Sequence, residues 1–316
     1  MHVSCYSGGH SSALATIEVA RRYGTDRLRI VNHDIHARVE DQDIKRFKRE
    51  VAAYLGLDIT QVNHPRVDEW DQFDVVRHAR AFKVGKGTEL CTARLKTEPF
   101  HAWLKVHAPP GEAVIVYGFD ANERDRIQRR AGILGAMGYE TAFPLAHWPR
   151  TIFSTKEIGI EPPLTYGQWK HANCIGCLKA GWQHWYAVFC LRPDLWAKGV
   201  EAEEDIGYTI HSDGSLRDRE EQFAAMKAAG IEPTEHTPRG EFWSAARKAV
   251  RSLPVLAEER DRIVDRFTYT ANTTLARASA QSVQAPVSIL EVHLGSWARG
   301  EGTSTRPDCT DRKSVV

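Results

Sequence analysis

Ser7-Gly8-Gly9-His10-Ser11-Ser12 is the stretch of sequence that decides the fold. It follows a short apolar run at residues 1–6 and precedes an apolar-periodic segment at residues 13–23. This order predicts a strand, a glycine turn and a helix. The glycines allow a ligand to approach the backbone closely, since no Cβ stands in the way. Amides at the helix N-terminus favour phosphate or pyrophosphate, although a tight turn with a serine N-cap has the same pattern.

The composition excludes several classes of protein. The 316 residues are 42% hydrophobic and 26% charged, which is typical of soluble globular chains and sufficient for one large domain or two. The net charge of +1 gives no overall basic field for non-specific nucleic-acid binding. No apolar run reaches the length of a transmembrane helix, and the N-terminus lacks the pattern of a signal peptide. We therefore expect a cytoplasmic protein with no membrane partner, whose six cysteines are free thiols or metal ligands.

Strand and helix patterns alternate along the first half of the chain. Strands are predicted at residues 28–32, 59–62 and 113–117, and helices at 40–55, 92–107 and 122–137, with Pro99 interrupting or restarting the second of these helices. Such alternation predicts an α/β fold with a doubly wound, mostly parallel sheet. Ligands bind beyond the carboxyl ends of such strands. The glycine turn (residues 7–12), the pair His33-Asp34 and the segment from Gly118 to Arg124 are therefore expected to meet.

The second half of the chain predicts a mainly helical C-terminal extension. A tryptophan-rich segment at 182–196 is followed by a hairpin at 208–216 and by helices at 217–229, 241–252 and 254–268. We expect the tryptophans to form core rather than a base-stacking platform. The predicted domains are a nucleotide-binding domain at 1–200, the extension at 201–285 and a tail at 286–316.

The tail is expected to be disordered or chimeric. Residues 289–297 resemble a segment of glycogen branching enzymes, and residues 311–316 match the translation of a common sequencing adapter up to its stop codon. We assign no function to the tail, and we leave Cys309 out of the candidate sites.

Cysteines form the second group of candidates. Cys174-Ile175-Gly176-Cys177 places two thiols on one side of a tight turn, an arrangement that metals and iron–sulfur clusters use. One such pair cannot complete a four-ligand site, and Cys91 is the natural third ligand. The candidates for the fourth ligand are Cys190, His171 and His184. The cysteines alone leave an iron–sulfur cluster, zinc and no metal as open alternatives.

Cationic residues lie near Cys91 and after Gly118 in the sequence. Arg94 and Lys96 follow Cys91, where they suit an anionic ligand or simply begin a surface helix. Arg124 follows Gly118, and its guanidinium suits a bidentate contact with phosphate or sulfate. The run 126–130 is expected to be a solvated arginine face paired with neighbouring carboxylates.

Taken in order, these elements resemble the phosphoadenosine phosphosulfate (PAPS) reductase family of the adenine nucleotide alpha-hydrolase-like, or PP-loop, superfamily. The resemblance covers about residues 1–195. The glycine turn resembles the family's S-G-G-K-D-S, residues 91–99 resemble its cysteine followed by L-K-x-x-P, and residues 174–177 resemble its later C-x-x-C. Residues 118–124 and 143–148 are similar to its G-x-R-x-x-E-S and P-L-x-x-W elements. Residues 32–34 and 91–96 are similar to phage-encoded members.

Three departures from the family pattern decide which activity the resemblance implies. His10 and Ser11 replace lysine and aspartate, Cys91 is single where cluster-bearing reductases have paired cysteines, and no C-terminal C-G-[LI]-H stretch carries a catalytic thiol. The resemblance therefore implies an ATP pyrophosphatase-type enzyme that adenylates an acceptor in connection with sulfur transfer. The alternatives are a thiol-dependent sulfonucleotide (PAPS or APS) reductase and a non-catalytic nucleotide-binding module with structural zinc.

The resemblance also implies site residues. ATP or a PAPS-like adenine nucleotide, with Mg²⁺ as a further candidate, is expected at Ser7, Gly8, Gly9, His10, Ser11, Ser12, His33, Asp34, Arg94 and Gly118. The implied catalytic residues are His10, Lys96 and Arg124. A [4Fe–4S] cluster, or alternatively zinc, is expected on Cys91, Cys174, Cys177 and Cys190. The implied partners are the nucleotide and either a nucleic acid or a sulfur donor.

Overall fold

A five-stranded, all-parallel sheet forms the centre of the structure. The computed structural model describes residues 1–84, 88–172 and 174–253. The strands in chain order are β1 (His2–Cys5), β2 (Leu28–Asn32), β3 (Ile59–Gln61), β4 (Lys83–Val84), β5 (Thr88–Glu89), β6 (Val114–Val116) and β7 (Glu140–Ala142). The sheet has the order β3-β2-β1-β6-β7, while β4 and β5 form a separate antiparallel pair.

Helices connect these strands, and further helices follow the last strand. In chain order they are α1 (His10–Tyr23), α2 (Gln42–Leu55), α3 (Gln72–Ala79), α4 (Leu90–Thr92), α5 (Glu98–His107), α6 (Arg124–Ala136), α7 (Pro144–His147), α8 (Trp182–Leu191), α9 (Pro193–Ile206), α10 (Leu216–Ala228) and α11 (Arg239–Arg251). A π-helical turn, Ala93–Thr97, joins α4 to α5.

Apolar side chains cover both faces of the sheet. Successive strand residues point to opposite faces, and the neighbours Ile30 and Val31 accordingly join different clusters. Ile30 packs in one cluster with Ile17 of α1 and Phe47 of α2. Val31 packs in the other with Leu104 of α5. Burial of each such side chain contributes about 1.5–3 kcal/mol. The predicted α/β fold with a parallel sheet is thereby confirmed.

The order of the strands brings their carboxyl ends together where the candidate residues begin. β1 pairs with β2 on one side and with β6 on the other, so that Ser4 lies opposite both Ile30 and Val116. The glycine turn follows β1, His33 follows β2, and Gly118 follows β6. All three segments therefore leave the sheet at one edge.

Pro99 lies at the start of α5, directly after the π-helical turn. A missing amide costs little in the first turn of a helix, since that N–H has no intrahelical partner. The helical path through residues 92–107 therefore restarts at Pro99, as predicted, and the π-helical turn carries Lys96.

The second half differs from the prediction in one element. The hairpin predicted at 208–216 is wrong, because only an isolated bridge joins His211 to Gly214. The chain instead turns into α10, where Ser215 forms a capping box with Asp218. The tryptophan-rich segment forms α8 and α9, and its buried rings confirm the predicted core role: Trp169, Trp182, Trp185 and Trp196.

Several expectations lie outside the described residues or stay predictions. The helix predicted at 254–268, the boundary at 285 and the tail lie outside the described residues. Residues 1–253 group as one compact unit, and the division predicted at residue 200 stays a prediction. Within the described ranges, no helix combines the length and the apolar character required to cross a bilayer.

Candidate functional site

A cleft of about 680 Å³, here called the first cleft, lies at the carboxyl ends of β1, β2 and β6. It is bounded by the glycine turn and by segments that follow the other two strands. The sequence-predicted residues in its lining are Ser7, Gly9, His10, Ser11, Ser12, His33, Lys96, Gly118 and Cys174. Parallel strands thus bring most of the predicted nucleotide site together.

Two glycines shape the floor of this cleft. Gly8 has φ +85°, and a Cβ there would lie 2.5 Å from Lys48 Cε. Gly8 therefore faces the interior rather than the cleft. A Cβ at Gly118 would lie 2.6 Å from the Ser11 carbonyl oxygen, so that β6 can approach the first turn of α1 only through a glycine.

Hydroxyl groups hold the glycine turn in place. Ser12 Oγ donates to the Gly9 carbonyl at 2.7 Å, and Ser7 Oγ donates to Ser12 Oγ at 3.2 Å. The hydroxyl protons of Ser7 and Ser12 are thus committed to the turn. Ser11 is exposed at the cleft.

The amides of the first turn of α1 differ in their partners. The His10 N–H donates to the Tyr166 hydroxyl oxygen at 2.9 Å. Within the described ranges, the Ser11 and Ser12 amides have no hydrogen-bond acceptor. These two amides carry the positive end of the α1 dipole.

His10 is a neutral ring in this structure. Its Nε2 accepts a hydrogen bond from the Thr155 amide at 3.2 Å, which places its proton on Nδ1. Burial lowers the pKa of His10 below its usual value. The ring therefore offers one Nδ1–H donor rather than the charge of an imidazolium.

His33 and Asp34 lie on different sides of the site. His33 Nδ1–H donates to the Val62 carbonyl at 2.5 Å, and burial lowers the pKa of His33 to about 4. Its Nε2 is therefore a lone-pair acceptor. Asp34 forms an ion pair with Lys45 at 2.9 Å and does not line the first cleft.

Glu40 is a buried carboxylate that sequence reasoning missed. It is 6% exposed and lines the first cleft. Its Oε1 accepts from Lys48 Nζ at 2.7 Å, whereas Oε2 has no hydrogen-bond partner within the described part of the chain. Burial raises the pKa of Glu40, and Lys48 opposes that shift.

Three thiols interact electrostatically with the Lys96 ammonium. Burial raises the pKa of the Cys91 thiol to about 12 and also raises that of Cys174, while Lys96 opposes both shifts. Burial lowers the pKa of Lys96, but the charges of Cys174, Cys91 and Cys177 raise it by more, so that the net shift is upward. No carboxylate forms an ion pair with Lys96 among the described residues. The three predicted cysteines thus lie within electrostatic reach of a cation that has no carboxylate partner.

The candidates for the fourth ligand differ in their positions. His171 lines both clefts, whereas Cys190 lines neither, and the Cys190 thiol interacts with Tyr186. His184 Nε2 accepts from the Gly176 and Cys177 amides at 3.1 and 3.3 Å, and its Nδ1–H donates to Glu235. Across residues 1–84, 88–172 and 174–253, no set of three or more His, Cys, Asp or Glu is arranged to hold a metal ion. The [4Fe–4S] or zinc site stays a prediction.

Arginines other than the predicted ones reach the cleft. Arg94 is exposed and pairs with Glu98 at 2.9 Å, and Arg124 is exposed; neither lines a cleft. Arg126 and Arg130 of α6 do line the first cleft. Arg126 is nevertheless exposed and pairs with Glu123, as predicted for the solvated face at 126–130, whereas Arg130 is half-buried.

A second cleft of about 990 Å³ adjoins the first. Both clefts are lined by Lys96, Arg126, Arg130, His171 and Cys174. The second cleft extends along the C-x-x-C turn (residues 174–177) to the start of α11, and exposed Lys170 and Arg239 line it. Lys96 and Cys174 thus lie where the two clefts meet, while Cys91 and Cys177 line the second cleft only.

The chain matches no protein-family model, no curated protein and no solved structure. What the site can do chemically therefore follows from its own groups. Two free amides and an unpaired ammonium can hold an anion, while His33 Nε2 and Glu40 Oε2 can accept hydrogen bonds from a ligand. The arrangement can therefore hold an anion and accept hydrogen bonds from the same ligand.

Proposed function

We propose that the first cleft binds an adenine nucleotide and that the chain is an ATP pyrophosphatase-type enzyme. ATP would be split between its α- and β-phosphates, and the adenylyl group would pass to an acceptor in connection with sulfur transfer. The observation that carries this proposal is the pair of unpartnered amides, Ser11 and Ser12, which open α1 at the edge of the sheet. Helix N-termini at this place in parallel sheets bind phosphates.

The strand order supports the finer fold assignment. β1 is central, and the chain builds outward from it first through β2 and β3 and then through β6 and β7. A reversal of this kind creates a crevice beside β1. We assign the doubly wound, adenine nucleotide alpha-hydrolase-like arrangement on this basis.

The polyphosphate would lie across the first turn of α1. The Ser11 and Ser12 amides would hold two of its oxygens, and the Tyr166 hydroxyl, which already accepts from His10, would donate its own proton to a third. Negative charge develops on the departing pyrophosphate, and fixed donors aimed at that charge lower the barrier. Mg²⁺ would arrive bound to the nucleotide.

Cations further along the cleft would hold the rest of the anion. Lys96 has no ion-pair partner among the described residues and lines both clefts. It lies on the π-helical turn that joins α4 to α5. We assign Lys96, with Arg126 and Arg130, to the charge of the α-phosphate as the acceptor attacks. Arg94 and Arg124 have no part in this assignment, since neither lines a cleft.

The nucleoside would occupy the side of the cleft formed by β2. His33 Nε2 and Glu40 Oε2 both accept hydrogen bonds. The hydroxyls of a ribose or the exocyclic amine of adenine supply the matching donors. A buried carboxylate oxygen without a donor is costly, so binding of such a group relieves a cost that the free protein carries.

Calorimetric titration with ATP tests the proposal. Proline is tolerated in the first turn of a helix and removes one amide N–H, so Ser11→Pro removes a proposed phosphate donor. The matched control is Ser11→Ala, which keeps the amide and removes only the hydroxyl. We expect Ser11→Pro to weaken ATP binding by about tenfold, as for a charge-assisted hydrogen bond, and Ser11→Ala to change it little.

Two further measurements keep the test decisive. Amide resonances of Ser11 and Ser12 in the wild-type protein should shift on addition of ATP, whether or not Ser11→Pro folds. Pyrophosphate and the adenylated acceptor should form in equal amounts when an acceptor is present. ATP binding that leaves both resonances unmoved would contradict the assignment of the phosphate site.

A further inference from the structure

The second cleft concentrates cations that have no carboxylate partner. Arg130, Lys170 and Arg239 line it, and none of them forms an ion pair within the described part of the chain. Lys96 joins them where the two clefts meet. This concentration is local, because the whole chain has a net charge of only +1.

Two of the three carboxylates in the same lining form ion pairs, and the third accepts a hydrogen bond from a histidine. Asp34 pairs with Lys45 at 2.9 Å, and Asp71 with Lys198 at 3.3 Å. Glu235 accepts from His184 at 2.7 Å. The cleft therefore presents positive charge to a ligand with little opposing negative charge, which raises the local concentration of anions.

Aromatic surface accompanies these cations. Trp169 and Trp182 in the lining are buried, but Trp70 is half-buried and keeps part of its ring at the cleft. Single-stranded nucleic-acid sites combine a cationic groove with aromatic rings that stack on unpaired bases. A concave cleft of about 990 Å³ admits a few splayed nucleotides, whereas the bases of a duplex are accessible only from its grooves.

We propose that the second cleft binds a single-stranded segment of nucleic acid, with Arg130, Lys170 and Arg239 on its phosphates and Trp70 beside a base. The inference rests on the proposed function and deepens it, since it names the acceptor class. The strand enters past α11, and its reacting nucleotide reaches the junction beside Lys96. There it meets the α-phosphate of a nucleotide held in the first cleft.

Fluorescence anisotropy with a labelled single-stranded oligonucleotide, as RNA and as DNA, tests this inference on the full chain. The double variant Lys170→Glu/Arg239→Glu should weaken binding at least tenfold. It should also lower the slope of log affinity against log salt by about 1.4, because each lost phosphate contact removes about 0.7 for single strands. The matched control is Lys105→Glu/Arg251→Glu, two exposed cations that line neither cleft, and it should bind as the wild type does.

Three outcomes would overturn the inference. They are no binding of either oligonucleotide, equal losses in the two double variants, and equally tight binding of poly-glutamate, which would make the cleft a general polyanion surface. The affinity of the wild-type protein for ATP, measured in parallel, tests the proposed function separately. Normal ATP binding with no oligonucleotide binding would sink only the acceptor assignment.

Discussion

The Tyr166 hydroxyl oxygen lies 2.9 Å from the His10 amide nitrogen, across 156 positions of the chain. The same oxygen lies 3.5 Å from the place that a Cβ would take on Gly9. Tyr166 therefore covers the start of the glycine turn and satisfies one amide of the first helical turn. The two amides that follow it are left for a ligand.

Replacement of Tyr166 by phenylalanine should weaken both the fold and the site. The His10 amide loses its acceptor, which costs about 1 kcal/mol in the free energy of unfolding measured with urea. Loss of the hydroxyl donor should weaken ATP binding by about fivefold, a similar free energy. Tyr208→Phe is the control, because Tyr208 is 71% exposed. Equal effects of the two substitutions would contradict this role of Tyr166.

Alanine substitutions at Gly118 and Gly132 should have opposite effects. The new Cβ at Gly118 would lie 2.6 Å from the Ser11 carbonyl oxygen, so the backbone of β6 or α1 must move. We expect a loss of about 2 kcal/mol or more in the free energy of unfolding. Gly132 lies within α6 with no atom near its added Cβ, and alanine there should stabilise by about 0.5–1 kcal/mol. A stable Gly118→Ala protein with normal ATP binding would contradict the close approach.

Local patterns were sufficient to predict the elements that position the site. Strand β2 is observed at the predicted residues 28–32, since its apolar residues Leu28, Ile30 and Val31 are buried and polar residues follow them. β7 (Glu140–Ala142) and α3 (Gln72–Ala79) were missed. β7 has three residues, none of them buried, and α3 has only eight, so neither displays a full period of hydrophobic burial.

The site was predictable only where chain order dictates proximity. Parallel strands end at one edge of the sheet, which brought His33 and Gly118 to the glycine turn. Tyr166 and Glu40 depend on tertiary packing, and no local pattern marks them. The half-buried place of Arg130 at the cleft was not predicted, because the sequence does not reveal which side of α6 faces the cleft.

The buried ring of His33 makes stability depend on pH. Its pKa in the folded protein is about 4, below the ordinary 6.5 that it regains on unfolding. Between these values the unfolded chain binds more protons, so stability is fully present above pH 6.5 and is lost as pH falls towards 4. His211 has the same shift and contributes alike. His33→Asn keeps a donor for the Val62 carbonyl and should flatten the loss by up to about 1.4 kcal/mol per pH unit, measured by urea unfolding from pH 7 to 4.5. Parallel pH curves for variant and wild type would contradict a neutral, buried His33.

Removal of either charge in the buried pair beneath the glycine turn should cost far more than removal of an exposed one. Lys48 Nζ lies 2.7 Å from Glu40, and both side chains are at most 6% exposed. Lys48→Met leaves the Glu40 carboxylate with only the longer contact to Lys45 at 3.9 Å, so we expect a loss of about 3–5 kcal/mol in the free energy of unfolding. Lys156→Met is the matched control, because its pair with Glu161 is exposed and should contribute about 1 kcal/mol or less.

The double variant Glu40→Gln/Lys48→Met separates the charge from the packing. A buried carboxylate is the expensive group, so its neutralisation should recover most of the stability lost in Lys48→Met. The Glu40→Gln change also removes the carboxylate oxygen Oε2, which is the acceptor that we assign to the nucleoside. ATP binding should therefore remain weak even though the double variant folds normally. Recovery of both stability and ATP affinity would show that Glu40 serves only to balance Lys48. Recovery of neither would show that Lys48 supports Gly8 by its hydrocarbon chain rather than by its charge.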